Sequence, residues 1–493
     1  MNQPHILPAR RSRVSICIVL AASMIGASGC AYMPNLGTAP SVKPVEQLSS
    51  TKTFADSSIA WPGDHWWENY GDPQLNSLVE EALRDSPDLE LARARLHLAG
   101  AAVQGANAAM MPEVSGNASF TKAKQSYNYL MPQGAVPQNW NDYGQATLNL
   151  SWELDFWGKN RAALASAMSN QKAAQAEVAE TRLILSASVA SAYAELLHLF
   201  TVRDTAEETF KLRTKTTELF RQRHQFGLEN EASVNQVEAR QAAAQTELRS
   251  VDERISLQRN AIAALLGEGP DRGLVISRPT VRSFGSMGLP ANLALNLIGR
   301  RPDLVAARLR AEAAAKRIDQ QKAAFYPSVN LLAFTGYQSL GIDNLTKSGS
   351  DIGSVGPAIS LPIFNTERLQ GQLRGARADY DAAVASYNGT LANALHEVAD
   401  AVVSRKALVG ELASSRASVN AADKAYSIMK KRYEGQLAGY LDVLSAEDEL
   451  VAAKRSLADI ETRALVLDVA LVRALGGGFQ STDQLITNSK TSK

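Results

Sequence analysis

The chain has 493 residues and carries 51 Lys+Arg against 50 Asp+Glu. That balance excludes the basic footprint of a nucleic-acid binder and any acidic tail. Aromatic residues make up only 6 % and alanine is abundant, a composition suited to long, closely packed helices.

In chain order, the first segment reads as a targeting sequence. Arg10, Arg11 and Arg13 precede an uncharged apolar run from Val14 to Ala27. The run is too short to span a bilayer as a helix, so residues 1–29 are expected to form a signal peptide. It ends Ala27-Ser28-Gly29-Cys30, which resembles a bacterial lipobox whose cysteine is lipidated and becomes the first mature residue. The other reading is an ordinary signal peptide that contains a cysteine. The only other cysteine, Cys17, lies inside the apolar run, so a lipidated Cys30 leaves no thiol for a disulfide. Ala31, where an inner-membrane retention signal would have aspartate, points to the outer membrane. Residues 30–60 then form an anchored linker. No later stretch reaches 18 consecutive apolar residues, so a membrane crossing would have to use β-strands.

An internal repeat follows. At an offset of 215, Pro87 falls on Pro302, Asp88 on Asp303, Leu89 on Leu304, Ala92 on Ala307, Arg93 on Arg308, Arg95 on Arg310, Pro112 on Pro327 and Val114 on Val329. The repeats are set at 61–270 and 271–475, with a polar tail at 476–493. Each opens with a helix of about 25 residues closed by Pro112 or Pro327. Strand-like segments come next, near 112–130 and 140–157 in the first copy and near 327–340 and 351–364 in the second. Ala146 to Phe156 alternates apolar and polar without exception, and Val114–Thr121 and Ser354–Ile363 alternate likewise. Four strands cannot close a barrel, whereas three chains would supply twelve.

Long helices complete each copy, near 159–226 and 228–266, then near 366–434 and 440–475. Lys159 to Phe226 contains neither Gly nor Pro. The returning helices carry heptads: Val443/Ala446, Leu450/Ala453, Leu457/Ile460, Ala464/Leu467 and Leu471/Ala474 in the second copy. Shifted by 209, the first copy keeps eight of ten such sites apolar, from Val234/Val237 to Ile262/Leu265.

Several motifs carry a resemblance. Trp66-Trp67, Asp72-Pro73-Gln74-Leu75, Arg300-Arg301-Pro302-Asp303-Leu304, Phe325-Tyr326-Pro327, Arg432-Tyr433 and Tyr440-Leu441-Asp442-Val443-Leu444 stand in this order. Together they resemble the TolC-type outer-membrane factors, specifically the lipoprotein branch serving resistance-nodulation-division efflux pumps, over residues 61 to 475. The resemblance implies an α+β membrane fold: a homotrimer sharing a 12-stranded outer-membrane β-barrel and a periplasmic 12-helix α-barrel. It implies passive conduction of drugs or other small molecules, with a periplasmic membrane-fusion adaptor and an inner-membrane pump as partners. The same fold also serves type I protein secretion, and a periplasmic coiled-coil lipoprotein without a pore is a third reading.

The resemblance further implies docking and gating at the helix turns. Gly227, Leu228, Gln436, Leu437 and Gly439 are the expected adaptor-docking residues. Asp442, Glu447 and Asp448 are gate candidates, and each reads equally as a charge on a solvated helix surface. The aspartate expected after Val443-Leu444 is Ser445 here, and Gln436 stands where relatives often have glycine. Trp152 and Trp157 fit an aromatic girdle or simple packing. No nucleophile elbow, P-loop or dinucleotide fingerprint occurs, and the six histidines show no metal-ligand spacing, so no enzyme activity, metal or cofactor is expected.

Overall fold

A computed structural model of the chain describes residues 32–44, 58–128, 133–281, 289–290 and 293–481. The expected signal peptide and Cys30 lie outside the described residues, as does the tail beyond Ser481. In chain order the main elements are α1 (Pro73–Asp85), α2 (Pro87–Ala108), β1 (Glu113–Ala123), β2 (Asn141–Glu153), α3 (Lys159–Gln225), α4 (Glu231–Leu265), α5 (Leu293–Arg300), α6 (Pro302–Ala323), β3 (Ser328–Leu340), β4 (Asp351–Ser360), α7 (Thr366–Glu434) and α8 (Tyr440–Ala474). Helices α2 and α6 have 22 residues each and α4 and α8 have 35 each. The repeat is therefore structural as well as sequential.

The chain divides into two compact units, and each draws on both repeats. Of the described residues, the first comprises those within Met1–Ser41, His97–Lys172 and Arg308–Ala385, and the second those within Val42–Leu96, Ala173–Ala307 and Ser386–Lys493.

The first unit holds a four-stranded antiparallel sheet in the order β1-β2-β3-β4. Residues paired across an antiparallel ladder point to the same face. Leu148 pairs with Gly116 and Thr335, Leu150 with Val114 and Ala333, and Ala333 with Val355. One face thus carries Val114, Ala118, Phe120, Ala146, Leu148, Leu150, Trp152, Leu331, Ala333, Tyr337, Val355, Pro357 and Ile359. The other carries Ser115, Asn117, Ser119, Gln145, Thr147, Asn149, Ser151, Asn330 and Ser354. The pattern is broken chiefly by β3, where Leu332 and Phe334 pair with Ser151 and Asn149 on the polar face, and Tyr143 of β2 and Ile352 of β4 fall on that face as well.

The strands stop short of the sequence intervals for identifiable reasons. β1 ends where its partner begins, with Ala123 against Asn141. β4 ends at Ser360, just before Pro362, which has no N–H to add to a ladder. At the foot of the sheet Trp152 Nε1 donates to Met110 O at 3.0 Å and Trp157 Nε1 to Pro327 O at 2.7 Å. Trp157 stacks on Tyr326 at 4.7 Å. Both indoles therefore satisfy their polar atom while leaving much of the ring exposed.

In the same unit an N-terminal strap lies on α7. Met33 and Leu36 pack on Phe325, Leu369 and Leu373. Gln370 Nε2 donates to Tyr32 O at 2.9 Å, and Arg377 Nη2 donates to Thr38 O at 2.5 Å.

The second unit has the main core. The apolar middle of α3 is long enough by composition to cross a bilayer, but Val189, Tyr193 and Leu196 are fully buried in this core. They meet Trp66, Trp67, Leu75, Leu78, Ile262, Ile276, Leu465 and Val469. Asp72 caps α1 by accepting from Gln74 N at 2.9 Å, and its Oδ2 also accepts from the Tyr193 hydroxyl at 2.8 Å and Thr280 N at 2.6 Å. The Arg-Pro-Asp motif starts α6: Pro302 is its first residue, and buried Arg301 clamps Asp303, Glu397 and the Ala474 carbonyl.

In α8 the buried stripe opens on the expected heptad sites Val443, Ala446 and Leu450. It then shifts to Ala458, Thr462, Leu465 and Val469, while the last expected pair, Leu471 and Ala474, is buried as well. A helix of 3.6 residues per turn drifts against a 3.5-residue repeat, and the partner contact follows the drift.

Candidate functional site

The α3–α4 and α7–α8 turns lie in the second unit and are built alike. Gly227 N donates to His224 O at 2.9 Å and Leu228 N to Arg223 O at 2.9 Å; Gln436 N donates to Tyr433 O at 3.0 Å and Leu437 N to Arg432 O at 2.7 Å. Both are Schellman caps, which need a left-handed residue just past the helix. Gly227 has φ +68° and Gln436 has φ +59°. Glutamine takes this conformation at a cost that glycine avoids, about 1 kcal/mol. The following leucines stay in water: Leu228 is 53 % and Leu437 73 % exposed. Asn230 then caps α4 by accepting from Ser233 N at 2.8 Å. Gly439 opens α8, and Asp442 Oδ2 accepts from Gly439 N at 2.9 Å. The structure thus places Asp442 as a helix cap, exposed and bonded to its own turn.

Behind the turns the four helices meet in an aromatic and ionic cluster. Phe220 stacks on Tyr433 at 5.6 Å and meets Tyr440 edge-on at 5.7 Å. Val237, Val443 and Leu444 complete this small core. The Tyr433 hydroxyl donates to Glu229 Oε1 at 2.5 Å, which ties the end of α7 to the α3–α4 turn. Arg223 lies over the Tyr433 ring at 4.6 Å and 3.6 Å from Glu229. Burial, then the bond to Glu229, pushes the Tyr433 hydroxyl well above its ordinary range, so it remains a donor.

One layer further along, Glu447 and Asp448 are brought together with two arginines. Asp448 Oδ1 accepts from Arg213 Nη2 at 2.6 Å and Oδ2 from Arg240 Nη1 at 2.8 Å. Glu447 is 0 % exposed, and its Oε2 accepts from Thr216 Oγ1 at 2.9 Å. Ser445 is exposed beside them. The gate candidates therefore separate: Asp442 caps a helix, whereas Glu447 and Asp448 join α8 to α3 and α4.

Sequence reasoning missed Arg213, Thr216, Arg240, Tyr433 and Glu229 as members of this site. Asp448 lies 235 residues from Arg213 and 208 from Arg240, and Tyr433 lies 204 from Glu229. No local spacing carries such pairs. The one available clue was the 209-residue offset, which sets Gly227-Leu228 on Gln436-Leu437 and so places the two turns in equivalent positions.

Residues 78–268 and 293–477 match the family model described as outer membrane efflux protein. Fusaric acid resistance protein FusA of Burkholderia cepacia is 35 % identical over 381 residues, 75 % of this chain and 70 % of that protein. Multidrug resistance outer membrane protein MdtP of Escherichia coli strain K12 is 29 % identical over 479 residues, 95 % of this chain and 97 % of that protein. The crystal structure of outer membrane protein VceC from Vibrio cholerae is similar with a TM-score of 0.82 at 46 % identity, covering 85 % of this chain and 100 % of that one.

Proposed function

Because the chain belongs to the outer membrane efflux protein family, we propose that it works as a homotrimer fed by a periplasmic membrane-fusion adaptor and an inner-membrane pump of the resistance-nodulation-division type. The chain itself is an outer-membrane channel component of tripartite efflux with the α+β channel fold. Its cargo is the class of small-molecule drugs, a reading supported by the resistance names of FusA and MdtP.

The observation that carries the proposal is the sheet. Its apolar face is uncovered in the single chain, with Val355 75 % and Leu148 58 % exposed. Strands of 10 to 13 residues reach about 33–43 Å at the usual rise, enough for a tilted crossing of a ~30 Å hydrocarbon layer. Among the described residues, no strand pairs with the outer edges of β1 and β4. In hydrocarbon an open edge costs several kcal/mol per unmade bond, so the edges must close on other copies. Three copies give twelve strands, with the Asn- and Ser-rich face lining the lumen.

The turns are the docking and gating end. Leu228 and Leu437 offer apolar points to the adaptor, shaped by the backbone of Gly227, Gln436 and Gly439. Tyr433–Glu229 and the Asp448–Arg213–Arg240 group are the ties that hold the turns together. At the N-terminus, residues 1–29 are removed and Cys30 carries the lipid; the strap on α7 supports this, since it ties the chain down two residues past Cys30.

Planar-bilayer reconstitution of the purified protein, with native mass spectrometry, tests the channel reading. We expect trimers with discrete conductance; a protein giving neither would refute it. For the anchor, Cys30→Ser should abolish incorporation of radiolabelled palmitate, and unchanged incorporation would refute that assignment.

A further inference from the structure

Glu447 is the underpaired member of the ionic group behind the turns. Its Oε1 has no hydrogen-bond partner, and the nearest cationic atom is Arg213 Nε at 3.5 Å. Arg213 is committed elsewhere, since its Nη2 and the Nη1 of Arg240 both donate to Asp448. Arg213 Nη1 is itself buried without a partner. Two guanidiniums thus face two carboxylates, yet the geometry gives the hydrogen bonds to the half-exposed Asp448 and leaves the enclosed Glu447 with one hydroxyl. An ionised carboxylate in that position is poorly compensated, whereas a neutral carboxylic acid needs no second cation. The groups facing Glu447 are Arg213 and Thr216 from α3, Arg240 from α4, Tyr426 from α7 and Asp448 on its own helix.

We propose that Glu447 is a proton-operated latch: protonated, it keeps α8 seated on α3 behind the turns, and ionised, it drives that contact open to water. The proton is exchanged with solvent, and no other group changes charge. The inference rests on the reading of the turns as the gate. Burial holds the Glu447 carboxyl above its ordinary value of 4.5; Asp448 adds to this, and Thr216 and Arg213 oppose it without cancelling it. The seated state therefore binds the proton more tightly than a hydrated glutamate does. The latch is fully engaged below the ordinary value and is lost as pH rises through the raised one. Tyr426, pushed up to about 12 by burial and then by Glu447, stays neutral throughout.

The test follows bilayer conductance and hydrogen exchange of residues 436–450 in the purified protein, between about pH 4 and pH 8. Wild type should show conductance and exchange rising together with pH in a one-proton step. Glu447→Gln, a neutral isostere, should be flat and held at the low-pH level. Thr216→Val removes the hydroxyl that favours the carboxylate and should move the midpoint up by about one pH unit. Asp448→Asn, which removes the negative charge and one of the two oxygens that accept from Arg213 and Arg240, should raise conductance at every pH. If Glu447→Gln keeps the wild-type pH curve while Asp448→Asn changes conductance, the latch is overturned and the gate stands. If no variant alters conductance, gate and latch fall together. Should Glu447→Gln not fold, an unmoved midpoint in Thr216→Val overturns the latch by itself.

Discussion

Replacing Tyr433 with phenylalanine isolates one tie at the turns. The ring keeps its stack on Phe220 at 5.6 Å and its place under Arg223, so packing is unchanged. What is lost is the hydroxyl bond to Glu229, made at 2.5 Å between side chains that are 3 % and 10 % exposed. A sheltered hydrogen bond to a charged acceptor is worth about 1.5–3 kcal/mol. Arg223 remains 3.6 Å from Glu229 and keeps part of its compensation, which favours the low end, about 1.5 kcal/mol. If the bond is made only while the turns are gathered, Tyr433→Phe multiplies the open fraction about tenfold. Single-channel recording gives that fraction directly, with thermal unfolding as a check on integrity. A Tyr433→Phe protein with an intact fold and a wild-type open fraction would show that this bond does not hold the turns.

Other perturbations probe the frame. Arg301→Met leaves Asp303 and Glu397 facing a buried apolar chain and should lower stability by about 3 kcal/mol in thermal or denaturant unfolding. Gly476 has φ +93°, and an added Cβ would overlap the Arg300 carbonyl, so Gly476→Ala should cost at least about 2 kcal/mol and be visible as a lowered melting temperature. The two caps give opposite signs. Gly227 has φ +68° in open space, so Gly227→Ala costs only backbone strain of about 1 kcal/mol. Gln436→Gly should relieve a similar strain, and hydrogen exchange at each turn should slow or quicken accordingly.

The legible part of the fold was local or repeated. Strict alternation from Ala146 to Trp152 marked one apolar face, and the structure sets that face against matching residues of β1 and β3. β3 was harder to read, because Leu332 and Phe334 fall on the polar face and spoil the period. Helix α1 was missed, since its start depends on Asp72, whose other oxygen is held by Tyr193 and Thr280 from distant segments. The position that the resemblance marks for an acidic gate is Ser445, and the neighbouring candidate Asp442 turns its carboxylate back on Gly439.

By itself the sequence determined the repeat, the strand faces and the paired turns, because each depends on residues within a strand, a helix turn or a constant offset. The 209-residue spacing survives as two 35-residue helices, α4 and α8. Only the tertiary structure decided which charges meet behind the turns. Arg213, Arg240, Thr216, Glu447 and Asp448 come from three helices, and their neighbours are set by how those helices pack and by the drift of a 3.6-residue helix against a 3.5-residue pattern. That packing also leaves Glu447 enclosed and Asp448 half in water, a difference between adjacent acidic residues that no spacing in the chain records.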